Sequence, residues 1–253
     1  MLTKMKKTKR GNKMSNIAVI FAGGIGRRMS SQALPKQFLQ LYDKEIIVYT
    51  LEHFENHPNI DGIVIACVEE WIPYMLDLID KYRLKKVLSI VPGGKTGQGS
   101  IYNGLVAAQK YGDGEEDIVL IHDGVRPLIN ATTISDCLDS VRLKGSAITV
   151  APVVETIIKV EGEKIEDVIE RSKCWVARAP QCFKLDEILN AHHQAQRESK
   201  EDFIDSASIM RHYGYSLATV MGPVENIKIT TPMDYHTFQA LYDTHGDNQL
   251  FGN

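Results

Sequence analysis

Five short runs of β-branched and apolar residues, at 17–21, 63–67, 87–91, 118–121 and 147–151, alternate with segments whose apolar residues recur at helical spacing. Runs that are apolar throughout read as strands buried on both faces. Between them, Ile47, Val48, Leu51 and Phe54 share one helical face, as do Ile101, Leu105 and Ala108, and Ile134, Cys137, Leu138 and Val141. Strands and helices in alternation connect through right-handed crossovers. The pattern therefore predicts an α/β protein, a Rossmann-like three-layer sandwich with a mostly parallel sheet and ligands at the carboxyl ends of its strands.

One stretch breaks the alternation. From 152 to 175 two pieces, 153–160 and 165–170, carry alternating apolar residues around Glu161-Gly162-Glu163 and read as a projecting β-hairpin arm, a shape suited to burial on a second subunit. After it, 216–221 and 226–229 read as strands, and Thr231-Pro232-Met233-Asp234 opens a helix as a capping box with Pro at the first helical position. The expected organisation is a single domain over 15–245, with 152–175 as a dimerisation arm and 1–14 as a disordered extension.

Charge narrows the partners. Residues 1–14 carry six bases (Lys4, Lys6, Lys7, Lys9, Arg10, Lys13) and no acid, which leaves 23 bases against 32 acids in the remainder. An acidic body that binds a polyanion must gather its bases in one place. The basic segment lacks the apolar stretch of a signal peptide, and no run is long enough to span a bilayer. Neither a nucleic acid nor a membrane is expected as partner. The four cysteines are too few for a disulfide scaffold and none is spaced C-x-x-C, which fits reduced thiols in a cytoplasm.

The first strand runs into Ala22-Gly23-Gly24-Ile25-Gly26-Arg27-Arg28-Met29, followed by Pro35-Lys36-Gln37-Phe38. Glycines let backbone N–H groups approach a phosphate chain closely. The dinucleotide fingerprint would require a glycine at Met29 and would not place arginines in the loop, so an NAD-dependent oxidoreductase is disfavoured. Gly94-Lys95-Thr96 imitates the end of a Walker A loop, but the glycine needed five residues earlier is Ser89. Arg28, with its forked guanidinium, and Lys36, a mobile point charge, suit a triphosphate.

Five blocks together are more specific: AGGIGRRM with LPKQFL, VPGGK with Ser100, IHDGVRP, RAPQCF and ENIKITTPMD. In content and order they resemble the cytidylyltransferases that make CDP-activated polyol phosphates, the 2-C-methyl-D-erythritol 4-phosphate and ribitol-5-phosphate cytidylyltransferases. The resemblance implies that Arg28, Lys36 and Lys228 stabilise the charge that develops during transfer. It implies that Ala22, Gly23, Gly24, Gly26, Gly94, Lys95 and Ser100 bind CTP, and that Asp123 holds Mg²⁺. Arg126, together with Thr156 and Arg171 of the arm, would bind the acceptor, each active site being completed by the partner's arm in a homodimer. Glu225 is a weaker second acid. His122 reads as a packed strand residue, because a phosphate nucleophile is already ionised at neutral pH and needs no base.

Two positions depart from the family pattern: Gly97 stands where an arginine is usual, and Ala179 where a threonine is usual. Asp123-Gly124-Val125-Arg126, the Gly23-Gly24 pair and the longer loop before Pro35 lean toward ribitol 5-phosphate as acceptor, with 2-C-methyl-D-erythritol 4-phosphate as the alternative. A nucleotide-binding module that has lost turnover is the reading from another class.

Overall fold

The computed structural model describes residues 15–22, 34–112, 114, 116–200 and 202–251, the last seven of these as backbone only. The basic segment 1–14 and the loop holding Gly23, Gly24, Gly26 and Arg28 lie outside the described residues. In chain order the elements are β1 (Asn16–Ala22), β2 (Gln40–Leu41), β3 (Lys44–Glu45), α1 (Ile46–Asn56), β4 (Gly62–Cys67), α2 (Ile72–Lys81), β5 (Val87–Pro92), α3 (Gly97–Ala108) and β6 (Ile118–Asp123). There follow α4 (Ala131–Lys144), β7 (Ser146–Pro152), β8 (Ile157–Glu161), β9 (Lys164–Ile169), β10 (Trp175–Lys184), α5 (Leu185–Arg197), α6 (Ser206–His212), β11 (Thr219–Met221) and α7 (Pro232–Phe251).

Successive side chains of a strand leave on opposite faces, and β1 shows what that requires of a central strand. Ala18 and Ile20 pack with Leu51 and Phe54 of α1, Met75 of α2 and Leu138 of α4, whereas Ile17 and Val19 pack with Leu105 of α3, Ile188 of α5 and Ile209 of α6. Both faces are dry, and each fully buried Ile or Phe contributes on the order of 1.5–3 kcal/mol. Seven strands form one sheet in the order β11-β7-β10-β6-β1-β4-β5, with helices on either side. Only β10 runs against its neighbours; the other pairs are parallel. Gly104 lets α3 approach closely, because a Cβ there would lie 2.5 Å from Val19 Cγ1. The expected three-layer α/β sandwich is the observed fold.

Several expectations need correction. Residues 226–229 form no strand: Ile229 N–H donates to Val125 O at 2.9 Å and anchors an irregular segment across the top of the sheet. The 87–91 run is not buried on both faces, since β5 is the sheet's edge strand and its middle residues are half-buried. The strand expected over 216–221 shortens to Thr219–Met221, and the first arm strand begins only at Ile157. β10 was not anticipated. It pairs with β6 and β7, and its register slips between Ala177 and Gln181. In the arm, β8 and β9 pair only with each other and leave Ile158, Val160, Ile165 and Val168 exposed. No helix among the described residues is long and apolar enough to cross a membrane.

Candidate active site

In an open α/β sheet the ligand crevice lies beyond the carboxyl ends of the strands. Here β1 ends at Ala22 and its neighbour β6 ends at Asp123, the sheet register placing Phe21 beside Asp123. A cavity of about 290 Å³ opens at this edge, bounded by Phe21, Gly97, Gln98 and Ile101 on the β1 and α3 side and by Ala177, Arg178, Ala179 and Gln181 of β10 on the other. Asp123, Arg126 and Lys228 also line it. Because β6 stands between β1 and β10, Asp123 sits in the middle of the crevice.

Asp123 is 5% exposed and engaged by two cations. Arg126 Nε donates to Oδ2 at 2.7 Å, and Lys228 Nζ lies 2.5 Å from Oδ1. Burial alone would raise the pKa of this carboxyl, but Lys228 and Arg126 outweigh it and hold it below the ordinary value, so Asp123 is ionised at neutral pH. The two cations reach it from opposite parts of the chain. Arg126 follows β6 in a tight turn and donates through Nη1 to Asn226 O at 3.0 Å, while Asn226 Nδ2 donates to Ala179 O at 2.9 Å. These bonds fix the 226–229 segment over the strand ends and so deliver Lys228.

The same segment receives Lys36. Its Nζ donates to Thr230 O at 2.5 Å, and Gln37 Nε2 donates to Ala22 O at 2.7 Å, tying the 35–38 turn to the end of β1. Lys36 lines a neighbouring recess with Leu39, Thr230 and Tyr235 and not the cavity of Asp123. Lys36 thus touches the chain two residues beyond Lys228, although the two side chains line adjacent recesses and not a shared one.

At the start of α3, Gly94 N–H donates to Ser100 Oγ at 3.0 Å, and the same hydroxyl donates to Thr96 O at 3.0 Å. A Cβ on Gly94 would lie 2.5 Å from the Gly99 backbone, so the turn closes only with glycine. Thr96, and not Ser100, caps the helix by accepting from Gly99 N–H. Ser100 is buried and spends its hydroxyl on holding the turn. Lys95 faces a second recess with Tyr102, His192 and Lys200. The two departures from the family pattern, Gly97 and Ala179, both line the Asp123 cavity.

Thr156 and Arg171 are exposed on the arm, where Arg171 Nη1 donates to Val154 O at 3.0 Å, and neither lines the cavity of its own chain. His122 is fully buried, its Nε2 3.1 Å from Arg126 O, and burial pushes it down to about 4, so it is a neutral, packed strand residue at neutral pH. Arg178 and Gln181, which line the cavity, were not singled out from the sequence, although the RAPQCF block contains both.

The family model described as IspD, 2-C-methyl-D-erythritol 4-phosphate cytidylyltransferase, matches residues 16–243, which include every element of the sheet. The chain belongs to the IspD cytidylyltransferase family. It is therefore a nucleotidyltransferase. Among curated relatives, a ribitol-5-phosphate cytidylyltransferase of Vibrio parahaemolyticus is 49% identical over 238 residues, covering 94% of this chain and 100% of that protein. A 2-C-methyl-D-erythritol 4-phosphate cytidylyltransferase of Syntrophotalea carbinolica is 40% identical over 237 residues, covering 93% of this chain and 100% of its own. The crystal structure of 2-C-methyl-D-erythritol 4-phosphate cytidylyltransferase from Thermus thermophilus superposes with a TM-score of 0.71 at 26% identity, over 89% of this chain and 98% of that one. The cavity at the end of β6 thus opens at the strand ends of a cytidylyltransferase fold.

Proposed function

We propose that this family member transfers a cytidylyl group from CTP to D-ribitol 5-phosphate, giving CDP-ribitol and pyrophosphate. The observation that carries the acceptor assignment is the identity of 49% to a ribitol-5-phosphate cytidylyltransferase across its full length, against 40% for a methylerythritol-phosphate enzyme of equal coverage.

In this reading an oxygen of the acceptor phosphate forms a bond to the α-phosphorus of CTP while the bond from that phosphorus to the β-phosphate bridging oxygen breaks. The nucleophile enters ionised, so no base is needed. Negative charge accumulates around the α-phosphorus, and cations already fixed at the strand ends stabilise it with little reorganisation. Lys228, held by Asp123, is one such cation, and Arg126, held by Asp123 and Asn226, faces the acceptor. Lys36, and Arg28 in the loop outside the described residues, serve the triphosphate, with the backbone around Ala22, Gly23, Gly24, Gly26, Gly94 and Lys95 enclosing the nucleotide and Ser100 holding the turn.

Asp123 fits a divalent cation. It is a buried, ionised hard oxygen donor at the strand tip, neutralised by Lys228 on Oδ1 and Arg126 on Oδ2. No cluster of three His, Cys, Asp or Glu lies among the described residues, so Asp123 would hold Mg²⁺ with substrate oxygens and waters completing the shell. Bound there, the ion would supply further positive charge to the phosphates. Thr156 and Arg171 would reach the acceptor from the arm of a partner subunit, and the reaction would take place in the cytoplasm.

Purified protein assayed for pyrophosphate release with CTP, Mg²⁺ and a panel of acceptors tests the proposal. D-ribitol 5-phosphate should exceed 2-C-methyl-D-erythritol 4-phosphate by at least ~10-fold in kcat/KM, a difference of about 1.4 kcal/mol in transition-state binding. The reverse order would move the assignment to the isoprenoid acceptor, and nucleotide binding without turnover for every acceptor would favour a non-catalytic module.

A further inference from the structure

The cations of the active-site cavity are unequally satisfied. Arg126 donates to Asp123 and to Asn226 O, and Lys228 is paired with Asp123. Arg178 has no such partner: its Nε and Nη1 are buried and make no hydrogen bond among the described residues. Burial, with Arg126 nearby, lowers its pKa, while Glu225 acts in the opposite sense without coming within ion-pair distance. Arg178 as a whole is half-buried, so it is these two inward-facing N–H groups, cut off from water and unmet, that an entering anion would satisfy.

The backbone aims Arg178 into the cavity. On β10, Ala177 pairs with Val150 and Gln181 pairs with Ile148, so residues 178–180 stand opposite Thr149 alone. A bulge of this kind turns side chains out of the ladder's alternation, and Thr149 Oγ1 holds it by donating to Pro180 O at 2.7 Å. The side chain therefore lines the cavity on the β10 wall, across Asp123 from the β1 and α3 wall where the nucleotide is placed.

We infer that Arg178 is a further residue that binds the phosphate of the acceptor, and thereby helps to position the attacking oxygen. Three positive side chains, Arg126, Arg178 and Lys228, share the cavity with two carboxylates, Asp123 and Asp205. Asp123 is already paired with Arg126 and Lys228, and Asp205 accepts from Gln181 Nε2 and from the N–H of Ser208, which leaves Arg178 as the lining cation with unmet N–H groups for an incoming phosphate. A guanidinium fork binds two of its oxygens at once, which fixes the direction of the third. The assignment rests on the transferase reading above, and deepens it by giving this chain's own wall of the cavity a share of the acceptor that the arm alone does not supply.

The test replaces Arg178 with Gln and with Lys in the full-length enzyme, with two readouts. In the transfer assay, R178Q should raise the KM for D-ribitol 5-phosphate at least ~10-fold and leave the KM for CTP within about twofold, with R178K between the two. In calorimetric titration without nucleotide, inorganic phosphate should bind wild type more tightly than R178Q by a similar factor. This second readout stands even if the acceptor proves to be another phosphomonoester. Unchanged acceptor KM and phosphate affinity in a folded R178Q would overturn the inference. So would an equal rise in the KM for CTP, which would place Arg178 on the nucleotide.

Discussion

Two buried imidazoles set how the fold responds to acid. His122 and His192 are both pushed down to about 4, chiefly by burial, with His193 adding to the effect at His192. Each is neutral in the folded protein at pH 6, whereas in the unfolded chain each takes up a proton near the ordinary value of about 6.5. Between those limits the unfolded state binds more protons, so stability falls as pH falls, by up to about 1.4 kcal/mol per pH unit for each histidine. Nε2 of His192 has no partner among the described residues, so His192→Leu sacrifices no hydrogen bond there. Urea unfolding from pH 7 to 4 should show a shallower loss of stability in this variant than in wild type; parallel slopes would mean that His192 is already protonated in the fold. The carboxylate proposed to hold the metal, in contrast, could be found from sequence, because IHDGVRP puts Asp123 at the tip of an apolar strand. Arg178 could not, since nothing in the string RAPQ says that a bulge will leave its guanidinium unpaired.

At the level of elements, the start of α7 does more than begin a helix. Thr231 Oγ1 accepts from Asp234 N–H at 3.2 Å, and Asp234 Oδ2 accepts from Thr231 N–H at 2.7 Å, the reciprocal capping box expected from the sequence. The same oxygen also accepts from the N–H and hydroxyl of Thr230, whose carbonyl receives Lys36. Asp234→Ala should therefore cost about 1–2 kcal/mol of stability. It should also lower kcat at 25 °C, where the variant remains folded, because Thr230 loses its support and with it the carbonyl that receives Lys36; thermal unfolding and steady-state turnover check the two effects separately. A normal kcat with a lowered Tm would confine Asp234 to helix capping. The elements that sequence disclosed were those whose pattern is fixed by burial, namely the two-face strands β1, β4 and β6. Those it missed depend on neighbours. β10 interrupts its apolar residues with Arg178, Pro180 and Gln181 and becomes a strand because β6 and β7 leave a gap for it, whereas 226–229 alternates like a strand but has no edge to pair with.

For the whole molecule, the arm poses a problem of exposed surface. Val154, Ile158, Val160, Ile165, Val168 and Trp175 are all exposed, and a hairpin that touches only itself does not form a stable two-stranded unit in water. A second copy of the chain would cover this surface and bring Thr156 and Arg171 to the partner's cavity, as proposed. Complementation distinguishes such a shared site from two independent ones. Arg171→Ala disables the arm and Asp123→Asn disables the cavity, so each variant alone should lose most of its turnover. In a mixed dimer, one cavity with intact Asp123 faces one arm with intact Arg171. After unfolding and refolding an equimolar mixture, random pairing makes half the dimers mixed with one working site in each, so about a quarter of wild-type activity should return. Activity equal to the sum of the separate variants, in a mixture shown by light scattering to be dimeric, would mean that each chain builds its site alone.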